Sequence, residues 1–201
     1  MSITAADGFV AAGCHAGIKR RKFDMALIAT EDGRPVPCAA VFTQNKFAAP
    51  PVELDRAILQ ANGGKAAAII VNSGNANAGT GNPGYKDAQL MAAATGEALQ
   101  IANSHVMVCS TGIIGTPLPM EPILSHVPHL ARKLSVNGGH DAARGILTTD
   151  HQAKEVVIKD YGINKPLPTG TRVEVTLTPK APGPIGYACA MDMVKGELLA
   201  E

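Results

Sequence analysis

"VNSGNANAGTGNPG", residues 71–84, follows the apolar run "KAAAII" at 65–70. It holds four glycines and four asparagines and carries no charge. Glycine loses more backbone freedom on folding than any other residue, and a connection that only has to turn needs about two to six residues. A loop of this composition is therefore expected to bring backbone close to another backbone or to a ligand. Upstream, "AAAIIVN" at 66–72 is apolar until its final residue, as in a strand buried on both faces. Downstream, Asn82 suits a helix N-cap and Pro83 the first helical position. Ala88, Met91, Ala92, Thr95, Ala98 and Leu99 then recur at helical spacing.

The same order repeats further on. "HVMVCS" at 105–110 reads as a strand, "STGIIG" at 110–115 as a second glycine-rich turn, and "PLPMEPIL" at 117–124 as the start of a helix. "HDAARGIL" at 140–147 reads as a further short helix. Earlier, "FDMALIAT" at 23–30 and "PCAAVFTQN" at 37–45 read as strands joined by the turn "EDGRP", and "AILQANGG" at 57–64 as a short helix ended by glycine. Strand, loop and helix in alternation predict an α/β fold, a layered sandwich of sheets covered by helices. In such folds ligands gather where loops leave the carboxyl ends of strands, the position of both glycine-rich stretches. The expected division is a domain over 1–160 carrying these loops and a distinct tail over 161–201. In or just before that tail, "AKEVVIKD" (153–160) and "TRVEVTLTP" (171–179) show strand patterning.

Composition bounds the function. Apolar residues make up 46% of the 201-residue chain, enough for a sizeable core. The formal net charge is +1, and the one basic cluster, "KRRK" at 19–22, is too short to point to nucleic acid. Cys14, Cys38, Cys109 and Cys189 are scattered, with no C-x-x-C pair, as in a reduced, cytoplasmic protein. The longest stretch free of Asp, Glu, Lys and Arg is broken by Asn, Ser, Gly and Pro, so no membrane span is expected. His126 and His129 lack a neighbouring third donor, and no metal is expected.

Three loops could carry chemistry. In "STGIIG", Thr111 supplies a hydroxyl and Gly112 an unobstructed backbone N–H; two such donors aimed at one point make an oxyanion hole. A plain strand-to-helix turn would have the same residues. In "LTTDHQAKE" (147–155), Thr148 and Thr149 could bond a carboxylate or amide, or simply close a helix end. In 72–81, the asparagine amides could touch a substrate or bond the loop's own backbone. The P-loop, the dinucleotide fingerprint and the G-x-S-x-G elbow are all missing.

Taken together, "GFVAAGCHAGIKRRKFDMALIAT", "AAVFTQNKFAAPPV", "IIVNSGNANAGTGNPGYKDA", "VCSTGIIGTPLPMEPI" and "AARGILTTDHQAKE" resemble, in order and spacing, the N-terminal half of ornithine acetyltransferase, or glutamate N-acetyltransferase. The resemblance covers about residues 8–158. It implies a self-processing fold of the N-terminal-nucleophile type. A precursor is cut before a threonine into α and β chains, and that threonine carries acetyl from N-acetylornithine to glutamate in arginine biosynthesis. It implies Thr111 and Gly112 as the oxyanion hole, Thr148 at the substrate, no cofactor, and a β chain as partner in an αβ pair assembled further. The family's "AKGSGM" and "MAT" segments are replaced here by "PKAPGPIGYACAM" at 179–191. Aligned there, Lys180 takes the place of the substrate-binding lysine, Ala190 precedes the cut, and Met191 stands where the threonine belongs. A thioether cannot attack an acyl carbon as an alcohol does. The expectation is thus an α-chain-like portion that needs a β chain with its threonine. The alternatives are a non-catalytic relative that keeps the fold and binds an amino acid or a partner, and an altered amidohydrolase with another nucleophile.

Overall fold

Apolar runs become strands here where both of their faces find a cover. The computed structural model describes residues 2–147, 155–166, 173–189 and 195–200. The chain groups into two units, residues 1–148 and 149–201.

The first unit holds, in chain order, β1 (Phe9–Cys14), β2 (Met25–Thr30), β3 (Val36–Pro37), α1 (Pro50–Ala61), β4 (Lys65–Ala66), β5 (Ala68–Asn75), α2 (Gly81–Leu99), β6 (Val106–Ile113), α3 (Met120–Lys133) and α4 (Gly139–Ile146). Its main sheet runs β1-β2-β5-β6. The first two pairings are antiparallel and the last is parallel, with Val71 opposite Cys109 and Gly74 opposite Gly112. β2 is buried at all six positions because each face is covered. Met25, Leu27 and Ala29 join Ile70, Val108, Met91, Ile123, Val127 and Leu130 in the main core, whereas Ala26 and Ile28 pack with Val71 and Ala142 of α4. The α/β layered sandwich expected from the sequence is therefore present. α4 lies so close to β2 that a β-carbon on its Gly145 would stand 2.2 Å from the Met25 carbonyl oxygen.

Local differences have physical causes. "PCAAVFTQN" is no strand: only Val36–Pro37 pairs, with β4, and Val41 and Phe47 are 100% and 79% exposed. Apolar alternation makes a strand only where a neighbour covers it. α1 begins at Pro50, earlier than its glycine-terminated end suggested. β1 passes through "FVAAGC", whose small residues give little periodic signal. α2 starts at Gly81 after Thr80, which places Pro83 third, not first, and Asn82 inside the helix.

The second unit holds β7 (Glu155–Ile158), β8 (Ile163–Pro166), β9 (Gly183–Cys189) and β10 (Lys195–Ala200) in one antiparallel sheet of order β10-β9-β7-β8. Ile158 and Ile185 are buried in it. Residues 173–179, from the stretch expected to alternate as a strand, have no regular structure.

Candidate functional site

The two glycine-rich stretches are neighbouring strand ends. β5 runs on through Asn75 and β6 through Ile113, so "NSGN" and "STGI" lie side by side in parallel register. Ser73 stands opposite Thr111, and Asn75 faces both Thr111 and Ile113 across a bulge. Gly112 has φ +135°, and a β-carbon there would lie 2.3 Å from the Gly74 carbonyl carbon and 2.5 Å from the Asn75 nitrogen. Only glycine fits where a positive φ and so close an approach coincide. Gly112 is exposed and Thr111 half-buried, so this strand end faces solvent with no side chain over it at 112.

The asparagines build the loop. Asn72, fully buried, donates from Nδ2 to the Asn75 carbonyl oxygen (2.8 Å), and its Oδ1 accepts from Ser110 Oγ (2.6 Å). It thereby ties the bulge of β5 to the residue before Thr111. Asn75 Nδ2 donates to the Pro117 carbonyl oxygen (2.9 Å). Asn77, buried with φ 40°, donates from Nδ2 to the Gly84 carbonyl oxygen (2.9 Å) and accepts from Thr80 Oγ1 (2.7 Å). That last bond turns the Thr80 hydroxyl away from capping α2. Backbone bonds from Ala76 N to Ile113 O (2.8 Å) and from Gly115 N to Ala78 O (2.7 Å) close the two loops onto each other. The amides thus meet backbone, and the costly composition is the requirement of this interlock.

A third segment reaches the same strand end. The fully buried Asp24 carboxylate accepts from the backbone N–H groups of Ala16 (2.6 Å), Gly17 (3.1 Å) and Lys19 (2.9 Å) and from His15 Nδ1 (3.1 Å). His15 Nδ1 also bonds the Lys22 carbonyl oxygen (2.8 Å); both partners are acceptors, which places the ring proton on Nδ1. The loop so held lays Ile18 and Lys19 over Gly74, where a β-carbon would meet their side chains at 3.2 and 3.0 Å. Lys19 Nζ donates to the carbonyl oxygens of Phe23 (3.0 Å) and Leu147. Ser73 Oγ donates to the Gly145 carbonyl oxygen, fixing the end of α4 to β5.

The structure brings Thr111 and Gly112 together at this strand end. Thr148 lies outside the described residues, directly after the Leu147 that Lys19 holds. Ala190 and Met191 also lie outside them. Lys180 belongs to the second unit, where its Nζ donates to the Asp160 carbonyl oxygen (2.8 Å) and sits 5.2 Å from the Tyr161 ring centroid. Sequence reasoning missed Asp24, Lys19, Ser110 and Gly145. The one signal for Asp24 was a lone acid at the mouth of a buried strand; the others gave none.

Burial pushes the Cys14 thiol up to about 11, helped by Asp24, so it is no activated nucleophile. Asp55 of α1 is buried against the outer edge of β6, where its Oδ1 accepts from the Val108 N–H (2.9 Å). Burial raises its carboxyl to about 7, against the lowering effect of that bond. Among the described residues no group of three or more His, Cys, Asp or Glu could hold a metal. None of the described helices is long and apolar enough to cross a membrane.

The family model described as ArgJ family matches residues 10–181. The chain belongs to the ArgJ family. Its ArgJ relatives include the arginine biosynthesis bifunctional protein ArgJ of Caldanaerobacter subterraneus subsp. tengcongensis, 52% identical over 152 residues, which are 76% of this chain and 37% of that protein. The mitochondrial ArgJ of Clavispora lusitaniae is 44% identical over 160 residues, 78% of this chain and 38% of that one. The chain thus spans well under half the length of the curated relatives it matches, and it corresponds to the N-terminal, α-chain region of ArgJ. Two solved structures match along the whole chain at 32% identity. One is the Bacillus halodurans arginine biosynthesis bifunctional protein (TM-score 0.68, 89% of that chain covered). The other is the Mycobacterium tuberculosis ornithine acetyltransferase complexed with ornithine (TM-score 0.69, 92% covered).

Proposed function

We infer that this chain is the oxyanion-hole half of an acetyltransferase that moves acetyl from N-acetylornithine to glutamate, completed by a β chain that brings a threonine nucleophile. The observation that supports this most is Gly112. Its positive φ, its close fit against Gly74 and its exposure beside Thr111 support reading the Gly112 N–H and the Thr111 hydroxyl as the two donors. The β-chain threonine oxygen attacks the acetyl carbonyl, and the oxygen that becomes negative is stabilised by the Gly112 N–H and the Thr111 hydroxyl. The C–N bond breaks and the ornithine amine leaves with a proton. The glutamate amine then attacks the acetyl-threonine ester and releases N-acetylglutamate and the free threonine. Thr148 and Lys180 are assigned to substrate contact, residues 1–160 to the α-chain-like domain and 161–201 to the tail in place of the autocleavage segment. The protein works in the cytoplasm without a cofactor.

Met191 at the nucleophile position favours a second reading, a relative that keeps the fold and binds an amino acid or partner chain without catalysis. Acetyl transfer from N-acetylornithine to glutamate, assayed on the purified chain alone and mixed with an ArgJ β chain, separates the two. Transfer in the mixture only is the expected result. Transfer in neither supports the second reading, and transfer by the chain alone overturns both.

A further inference from the structure

The basic run at 19–22 stands beside the open strand end. Asp24 fixes the loop at one end through its four donors. Nearby, Phe23 lies under the Arg144 guanidinium, 4.1 Å from the ring centroid. Between these anchors Ile18 and Lys19 cover Gly74, the residue opposite Gly112, and Lys19 reaches the Leu147 carbonyl just before Thr148. Arg20, Arg21 and Lys22 follow directly, all exposed, and among the described residues none of the three forms an ion pair. The one carboxylate in the loop, Asp24, is fully buried and occupied by its own donors. These three exposed cations follow directly on a loop that Asp24 pins through backbone bonds and that lays Ile18 and Lys19 over Gly74, opposite Gly112. A net charge of +1 for the whole chain makes this a local concentration of positive charge, not a general property of the surface.

We propose that Arg20 and Arg21, with Lys22, form a cationic collector that draws the net-negative acceptor, an acidic amino acid such as glutamate, to the Thr111–Gly112 strand end. This rests on the acetyltransferase reading and deepens it by assigning acceptor selectivity. Exposed cations act through the field more than through fixed contacts, so their effect follows the ligand's net charge and fades as salt screens it. Glutamine, nearly the same shape and without the side-chain charge, escapes the collector.

The test is equilibrium binding of L-glutamate and L-glutamine to the full chain with and without an ArgJ β chain, by calorimetry at about 20 mM and about 0.5 M salt. The R20A/R21A variant is expected to weaken glutamate binding about 3- to 10-fold at low salt, with the difference gone at high salt and glutamine unaffected. R20K/R21K, which keeps the charge, is expected to bind as the original chain does. Equal weakening of glutamine, or glutamate binding unchanged in R20A/R21A at low salt, overturns the collector. So does a chain that shows no preference for glutamate over glutamine under any of these conditions. Acetyl transfer measured in parallel keeps the two readings apart. Charge-dependent binding without transfer sustains the collector and sinks the activity; transfer without charge-dependent binding does the reverse.

Discussion

Gly112 of β6 stands opposite Gly74 of β5, so close that a β-carbon on Gly112 would fall 2.3 Å from the Gly74 carbonyl carbon. Gly112→Ala combines that clash with a φ of +135°, which an L side chain rarely adopts. The strand ends must separate. A loss of about 2–4 kcal/mol in urea unfolding is expected, together with faster amide exchange at 74–77 and 111–115. An alanine variant as stable as the parent would show that the two strand ends are not held at this distance.

Thr111 is half-buried beside it and separates chemistry from folding. In the reconstituted pair, Thr111→Ala is expected to lower kcat by about 10²- to 10³-fold, the cost of one oxyanion donor. Its unfolding free energy should change by no more than about 1 kcal/mol. Thr111→Ser, which keeps the hydroxyl, should recover most of the rate. Steady-state kinetics on the three proteins decide it.

Asn72 offers a test of the interlock itself. Its Nδ2 donates to the Asn75 carbonyl, so Asn72→Asp, nearly isosteric, sets a carboxylate oxygen against a carbonyl oxygen in a site with no water access. A loss of about 2–4 kcal/mol is expected in chemical denaturation, because a buried charge is left facing an acceptor. Stability equal to that of the parent would mean that the bulge of β5 does not depend on this amide.

Asp55 predicts a pH dependence with a definite sign. Its carboxyl titrates at about 7 in the folded chain, raised by burial from the ordinary aspartate value of about 4. Between these values the folded state holds a proton that the unfolded state has released, so stability falls as pH rises from about 4 through 7. Asp55→Asn removes the titration and keeps an oxygen for the Val108 N–H. The variant is expected to be more stable than the parent at pH 8, by at most about 4 kcal/mol, with the gap closing toward pH 4. Urea midpoints across that range check it; a gap that widens at low pH would contradict the assignment.

β2, β5 and β6 were legible because each is an apolar run whose burial is written in its own residues. "PCAAVFTQN" has similar composition and failed as a strand because no neighbour covers it, with Val41 fully exposed. That "STGIIG" ends a strand in a tight glycine turn was legible, because a backbone at positive φ needs glycine, as at Gly112. The choice between substrate-contacting and structural asparagines in 72–81 was not legible, since an amide looks the same in either use. Only its partners, all backbone or hydroxyl groups, distinguish them.

Sequence by itself determined the family, the order of strand, glycine-rich loop and helix, and the residue types available at the strand end. Those features depend on local periodicity and on backbone freedom, which each residue carries with it. Tertiary structure alone decided that Gly112 faces Gly74, that Asp24 gathers four donors, and that Lys19 joins the strand end to Leu147. Those relations span up to 128 positions in the chain, and their partners are chosen by sheet register and helix packing, not by any neighbour in sequence. The basic run at 19–22 shows the difference. As sequence it is a short charged stretch; folded, a buried carboxylate holds its loop so that Ile18 and Lys19 lie over Gly74, opposite Gly112.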